Sequence, residues 1–135
     1  MNLVPYLYFN GIAEEAIEFY KKAVGAKVNL LMRFKDCPDQ CADVNPAVAN
    51  KIMHAALSIG ESTVLVPDGR CAGSAKFDGF SLSLSPNTEA DADRLFAALS
   101  EGGNVTMPLG KTFFSSKFGM VNDRFGVMWM VIARP

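Results

Sequence analysis

Residues Pro5–Tyr20, "PYLYFNGIAEEAIEFY", and Phe80–Phe96, "FSLSLSPNTEADADRLF", run through the same events in the same order. Each begins with the period-two alternation of a half-buried strand. Each then turns through small or polar residues into an acidic helix start, Glu14 and Glu15 in the first copy and Glu89 and Asp91 in the second. An apolar helix body follows in both. One supersecondary unit that occurs twice in 135 residues decides the fold.

Reading outward from the first copy, a strand is predicted at about Val4–Asn10 and a helix at about Ala13–Val24. Acidic residues at its start, Lys21 and Lys22 at its end and Gly25 as the stop all complement the backbone dipole. Ile12, Ala16, Phe19, Tyr20 and Ala23 give it an apolar stripe. A strand at Lys27–Lys35, a loop at Asp36–Asn50 and the pair Ile52–Ile59 and Ser62–Pro67 follow, the pair joined by the hairpin signal Gly60-Glu61. Beyond the loop Asp68–Asp78, the second copy predicts a strand at Phe80–Ser85 and a helix from Thr88 to about Ser100. Strands at Val105–Leu109, Lys117–Asn122 and Val127–Ala133 complete it. The expectation is a single α+β domain of two βαβββ modules, about 1–70 and 78–135, whose curved mixed sheet surrounds a central cleft.

Composition narrows the function. Hydrophobic residues make up 50% and charged ones 20%, with no apolar run near the about 18 residues a bilayer needs. The N-terminus lacks a basic region followed by a long apolar stretch and a cleavage site, so a cytoplasmic protein is expected, with no membrane partner. Net charge is −1 and the basic residues are scattered, which excludes the footprint of a nucleic-acid binder. Three cysteines, Cys37, Cys41 and Cys71, are an odd number without a secretory signal, so reduced thiols are expected rather than a disulfide framework. Cys37-Pro-Asp-Gln-Cys41 has no second Cys pair and no nearby His to complete a zinc set.

Five stretches in order, "PYLYFNG…AIEFYKKAVGA", "MHAALSIGES", "GFSLSL", the repeat itself and the ending Phe118–Val131 "FGMVNDRFGVMWMV", resemble a known family. It is the PhnB-like branch of the glyoxalase, bleomycin-resistance and ring-cleavage dioxygenase (vicinal oxygen chelate) superfamily. Members are often labelled similar to 3-demethylubiquinone 3-methyltransferase, yet this chain lacks a Gly-rich loop after a first strand that would hold S-adenosylmethionine. In metal-using relatives the resemblance implies a divalent ion held by His, Glu or Gln from the first, fourth, fifth and eighth strands, chelating two substrate oxygens. Carried onto this sequence, those positions fall at Pro5 or Tyr6, near Leu65, at Ser81 and at Met130. None is an imidazole or carboxylate, so no metal and no cofactor are expected. The resemblance and the symmetry preference of oligomers together imply a homodimer.

Other side chains then have to carry the site. His54 is the sole histidine, and pairing across Gly60-Glu61 places His54, Ala56 and Ser58 on a face with Thr63, Leu65 and Pro67. Met53, Ala55, Leu57 and Ile59 take the other face with Val64 and Val66. His54 supports two readings, a histidine bonded locally or a ligand-contacting acid–base group. Tyr6 and Tyr8 alternate with Leu7 and Phe9, so both phenols face the cleft or serve as aromatic walls. Ser81 and Ser83 face it by the same alternation, with Phe80, Leu82 and Leu84 against the helix. Arg33 is either a clamp for an anionic group or an exposed strand residue. Phe114, beside Phe113 in a mobile-looking segment, is a lid or a core plug, and Met120, Met128 and Met130 suit an apolar pocket or ordinary core filling. Asp68 and Asp123 read as holders of their own turns. The expected function is metal-independent binding of a small apolar or aromatic molecule through Tyr6, Tyr8, Arg33, His54, Ser81, Ser83, Phe114 and Met130. The alternatives are a lyase, isomerase or dioxygenase with His54 as its catalytic residue, and a purely structural dimerisation module.

Overall fold

The computed structural model describes residues 1–37, 46–69 and 74–134, and the chain divides into two compact units, Met1–Ala75 and Lys76–Pro135. In the first unit, helix α1 (Ala13–Ala23) is followed by β1 (Lys27–Arg33), a 3-10 turn over Phe34–Asp36, β2 (Ile52–Ile59) and β3 (Ser62–Leu65). The three strands form one antiparallel sheet in the order β1-β2-β3. Gly60, at φ 59°, makes the two-residue turn that sets Ile59 opposite Ser62.

The expected first strand is present as an extended segment that pairs for one step only. Leu7 N–H donates to Leu65 O (2.8 Å) and Leu65 N–H to Pro5 O (3.0 Å), a parallel bridge between Tyr6 and Leu65. Phe9 N–H then donates to Pro67 O (3.0 Å), but the return bond needs an N–H on Pro67, which proline lacks. The ladder stops there. Alternation survives, with Leu7 and Phe9 buried and Tyr6 and Tyr8 exposed.

Beneath this sheet lies α1, which buries Ala13, Ala16, Ile17, Tyr20 and Ala23. Its stripe is therefore rotated from the expected one: Ile12 is the exposed residue ahead of the helix and Phe19 is half-buried. From β2 and beyond it, Ala55, Leu57, Val64 and Val66 are buried, the face expected to be apolar. Burying a large aliphatic or aromatic side chain contributes about 1.5–3 kcal/mol, and Phe9, Ile17, Tyr20, Ile52 and Leu57 are the largest fully buried ones in this unit.

The second unit repeats the plan. It comprises β4 (Leu82–Leu84), α2 (Glu89–Ser100), β5 (Asn104–Gly110), β6 (Phe118–Asn122) and β7 (Met128–Ile132). Strand order is β4-β7-β6-β5, with β4 parallel to β7 and the rest antiparallel. The first unit has the same order once its extended N-terminal segment is counted beside β3. Thr88 caps α2 by accepting the Asp91 N–H (3.1 Å), and Ala92, Phe96 and Leu99 are buried. Trp129 and Val131 of β7 join that core. Pro108 sits in β5, where an outer strand tolerates a residue that donates no hydrogen bond, and the β5–β6 register shifts on both sides of Met107.

Two aspartates do more than hold their own turns. Asp68, 1% exposed, accepts from Gly11 N (2.7 Å) and Ala13 N (2.8 Å) on one oxygen and from Ile52 N (2.7 Å) on the other. It thereby caps α1, whose own N-cap residue Ile12 offers no side-chain acceptor. Asp123, 3% exposed, accepts from Phe125 N (2.8 Å) and Val127 N (3.1 Å) through Oδ1 and from Trp129 Nε1 (2.9 Å) through Oδ2. Cys37 is disulfide-bonded, which corrects the expectation of reduced thiols. Cys41 and Cys71 lie outside the described residues.

Candidate functional site

Each sheet has one face under its helix and one open face, and the open faces hold the candidate side chains. In the first unit the register aligns Tyr6, Leu65, Ala56 and Leu30 in one row, from the N-terminal segment across β3 and β2 to β1. His54 lies two residues along β2 from Ala56, on the same face, opposite Met32. The Tyr6 and Tyr8 rings stack at 5.9 Å and 20°, and the His54 imidazole lies 6.2 Å from the Tyr6 ring at 46°. Tyr6 and Tyr8 are 48% and 53% exposed, so the stacked pair is open to solvent in part. Asn29, at a bulge of β1, donates from its side-chain amide to the Ser58 hydroxyl on this sheet.

Arg33 is engaged elsewhere. Its guanidinium pairs with both carboxylate oxygens of Glu14 (3.3 and 2.5 Å) and donates to Asn50 O (2.7 Å). The hydrogen bond from Arg33 holds the Glu14 carboxyl below the usual carboxylate range, and Glu14 raises Arg33 in turn. The pair fastens the end of β1 to the start of α1.

In the second unit the equivalent row is Ser83, Met130, Met120 and Met107, across β4, β7, β6 and β5. Ser83 is exposed and Met130 half-buried. Ser81 lies just before β4, two residues from Ser83 and also half-buried. Phe80 is 41% exposed, so the alternation expected from Phe80 onward holds only from Leu82. Phe114 packs edge-on against Phe118 at 5.1 Å and against Phe113 at 5.0 Å, and Phe113 is fully exposed. The loop carrying them is braced rather than loose. Thr112 Oγ1 accepts from Phe114 N and Ser115 N, while buried Ser115 donates from its hydroxyl to Ala133 O (2.6 Å).

The register thus brings together Tyr6, Tyr8 and His54 in one unit, and Ser83 and Met130 with Ser81 nearby in the other. It holds Arg33 to the helix. Neither row contains an imidazole or carboxylate, so these side chains are a poor donor set for Zn, Ni, Mn or Fe(II). Among the described residues no three His, Cys, Asp or Glu side chains gather as a metal-holding group. Met107 is legible from the alternation of β5, whereas the turn after Asp68 is a local signal but the approach of Gly69 to Tyr8 is not.

Residues 1–132 match the family model described as 3-demethylubiquinone-9 3-methyltransferase. The chain is 31% identical to protein YjdN of Escherichia coli over 138 residues, covering 97% of this chain and 94% of YjdN. Among solved structures it is similar to protein PA1353 of Pseudomonas aeruginosa, at 41% identity and TM-score 0.87, covering 99% of this chain and 98% of that one. It is also similar to the PhnB protein of Bacillus cereus, at 26% identity and TM-score 0.81, covering 98% and 99%. A glyoxalase-related enzyme from Fulvimarina pelagi shares the fold alone, at 16% identity and TM-score 0.58, covering 100% and 88%. Among the described residues no helix is long and apolar enough to cross a membrane.

Proposed function

The chain belongs to the family described as 3-demethylubiquinone-9 3-methyltransferase, on the glyoxalase fold, and from that premise we propose that it binds a small apolar or aromatic molecule without a metal. The observation that carries this reading is the content of the two open rows. Tyr6, Leu65, Ala56 and Leu30 in one sheet and Ser83, Met130, Met120 and Met107 in the other are aromatic, aliphatic, thioether and hydroxyl groups. Such side chains attract apolar surface and stack on rings; they do not hold a hard or borderline cation. The exposed Tyr6–Tyr8 stack beside His54 is the most developed part of this surface. Ser81, Ser83, Phe114 and Met130 are the proposed contacts in the second unit. Methyl transfer is not carried over from the family's description, because only Asn10-Gly11-Ile12 joins the first extended segment to α1.

Two measurements test the reading. After soaking with Ni, Zn, Mn and Fe(II) and removing excess, elemental analysis should find far less than one ion per chain. The fluorescent aromatic anion 1-anilinonaphthalene-8-sulfonate should bind the folded protein and lose affinity in Tyr6→Ala. One tightly held ion per chain would overturn it. A second reading rests on the closeness of Tyr6 and His54: an acid–base pair for lyase, isomerase or dioxygenase chemistry. Turnover of a glyoxal hemithioacetal or a catechol that disappears in folded His54→Ala would favour it. A homodimer in the cytoplasm is proposed as the working form, and equilibrium sedimentation giving only the monomer mass would refute the dimer.

A further inference from the structure

We propose that Gly69 is a positioning residue for the aromatic shelf, through Tyr8; the inference rests on the reading that Tyr6, Tyr8 and His54 form the binding surface. A Cβ added at Gly69 would lie 2.9 Å from Tyr8 Cδ1 and 3.7 Å from Tyr8 Cβ, so something would have to shift. Gly69 cannot retreat easily. Its neighbour Asp68 is held by side-chain bonds to Gly11, Ala13 and Ile52 and by its own N–H to Ile52 O (2.9 Å). Nor can the Tyr8 backbone, which lies between Leu7 and Phe9, both bonded to the β3 side. The half-exposed ring is what yields, by rotating about χ1 toward solvent. That rotation breaks the near-parallel stack on Tyr6, and Tyr6 is the ring that faces His54. A missing methyl group at position 69 therefore sets the plane that an aromatic ligand meets.

Gly69 also has φ +67°, so any side chain there is strained whatever it touches. Gly60 supplies the control, since it has φ +59° and nothing within 4 Å of an added Cβ. Both Gly→Ala variants carry the backbone strain and only one pushes a ring. Because His54 is the only histidine, its imidazole protons give an unambiguous NMR signal sensitive to the Tyr6 ring. In the unliganded protein, Gly69→Ala should shift those resonances and Gly60→Ala should leave them in place. Tyr8→Ala/Gly69→Ala should match Tyr8→Ala, because the added methyl then has nothing to displace. Affinity for 1-anilinonaphthalene-8-sulfonate should fall roughly two- to tenfold in Gly69→Ala, the range expected for losing one aromatic pair, and stay unchanged in Gly60→Ala. Equal imidazole spectra in the two glycine variants, or a Gly69→Ala effect that persists undiminished without the Tyr8 ring, would overturn the proposal. Should Gly69→Ala fail to fold, recovery of folding in Tyr8→Ala/Gly69→Ala supports it and continued unfolding refutes it. If the dye does not bind the wild-type protein, the binding reading falls, and the NMR comparison still decides whether Gly69 sets the shelf.

Discussion

Replacing Asp123 tests whether the last hairpin is organised by its carboxylate. Three N–H groups converge on it, from Phe125, Val127 and the Trp129 indole. Hydrogen bonds to a charged group contribute about 1.5–3 kcal/mol each, so a simple sum is about 5–9 kcal/mol. That is an upper bound, because the Phe125 bond is only part-buried and water can replace it. Asp123→Ala is therefore expected to cost about 3–5 kcal/mol, a fifth or more of the roughly 5–15 kcal/mol that holds a domain folded. Asp123→Asn isolates the indole bond. The amide keeps one oxygen for the turn and turns an NH₂ toward Trp129 Nε1–H, a donor against a donor, at about 2–3 kcal/mol. In a Trp129→Phe background the donor is gone, and Asp123→Asn should cost about 1–2 kcal/mol less. Urea unfolding followed by far-UV circular dichroism reads the wild type and all four variants, since it does not depend on the tryptophan. The reasoning fails if Asp123→Ala costs under about 1 kcal/mol, or if Asp123→Asn costs the same in both backgrounds.

Asp68→Ala removes the shared acceptor of Gly11, Ala13 and Ile52 and should cost about 3–4 kcal/mol in urea, with faster amide exchange at Ala13 and Ile52. Ser115→Ala should cost about 1–2 kcal/mol and speed exchange at Phe114, because its hydroxyl ties the aromatic loop to Ala133. The Glu14–Arg33 pair is more than half exposed on the Glu14 side, so Glu14→Gln should cost only about 0.5 kcal/mol at neutral pH, less in high salt. Glu14 is lowered in the folded state, so its contribution is present above its unfolded range and is lost as pH falls through its folded value. The gap between wild type and Glu14→Gln should therefore close in acid.

Much of the plan could be read from spacing. Strand β2 lies at the expected Ile52–Ile59, because alternation and the Gly60-Glu61 turn are local signals; Ala55 and Leu57 are buried as expected, while Met53 and Ile59 are half-buried. The helix expected from Thr88, on its early acidic residues, begins at Glu89, with Thr88 as the residue that caps it. The α1 stripe was turned by about one position because Ile12 looks apolar in sequence yet lies outside the helix. The strands end at Leu65 and Arg33, short of the expected Pro67 and Lys35, because Pro67 has no N–H to return a ladder bond and the chain winds into a 3-10 turn at Phe34–Asp36.

The sequence by itself determined the duplicated βαβββ plan, the face on which Tyr6, Tyr8 and His54 lie, and the lack of imidazole or carboxylate at the implied metal positions. The plan and the faces follow from periods of two and about 3.6 residues, which the chain carries within a few positions of itself, whereas the metal positions are what the family resemblance implies. Only the tertiary structure decided that Asp68 caps a helix 55 residues away, that Arg33 is spent on Glu14, and that Gly69 lies against the Tyr8 ring. Each depends on where two distant segments are brought together, a placement set by packing the whole unit, and no local period encodes it.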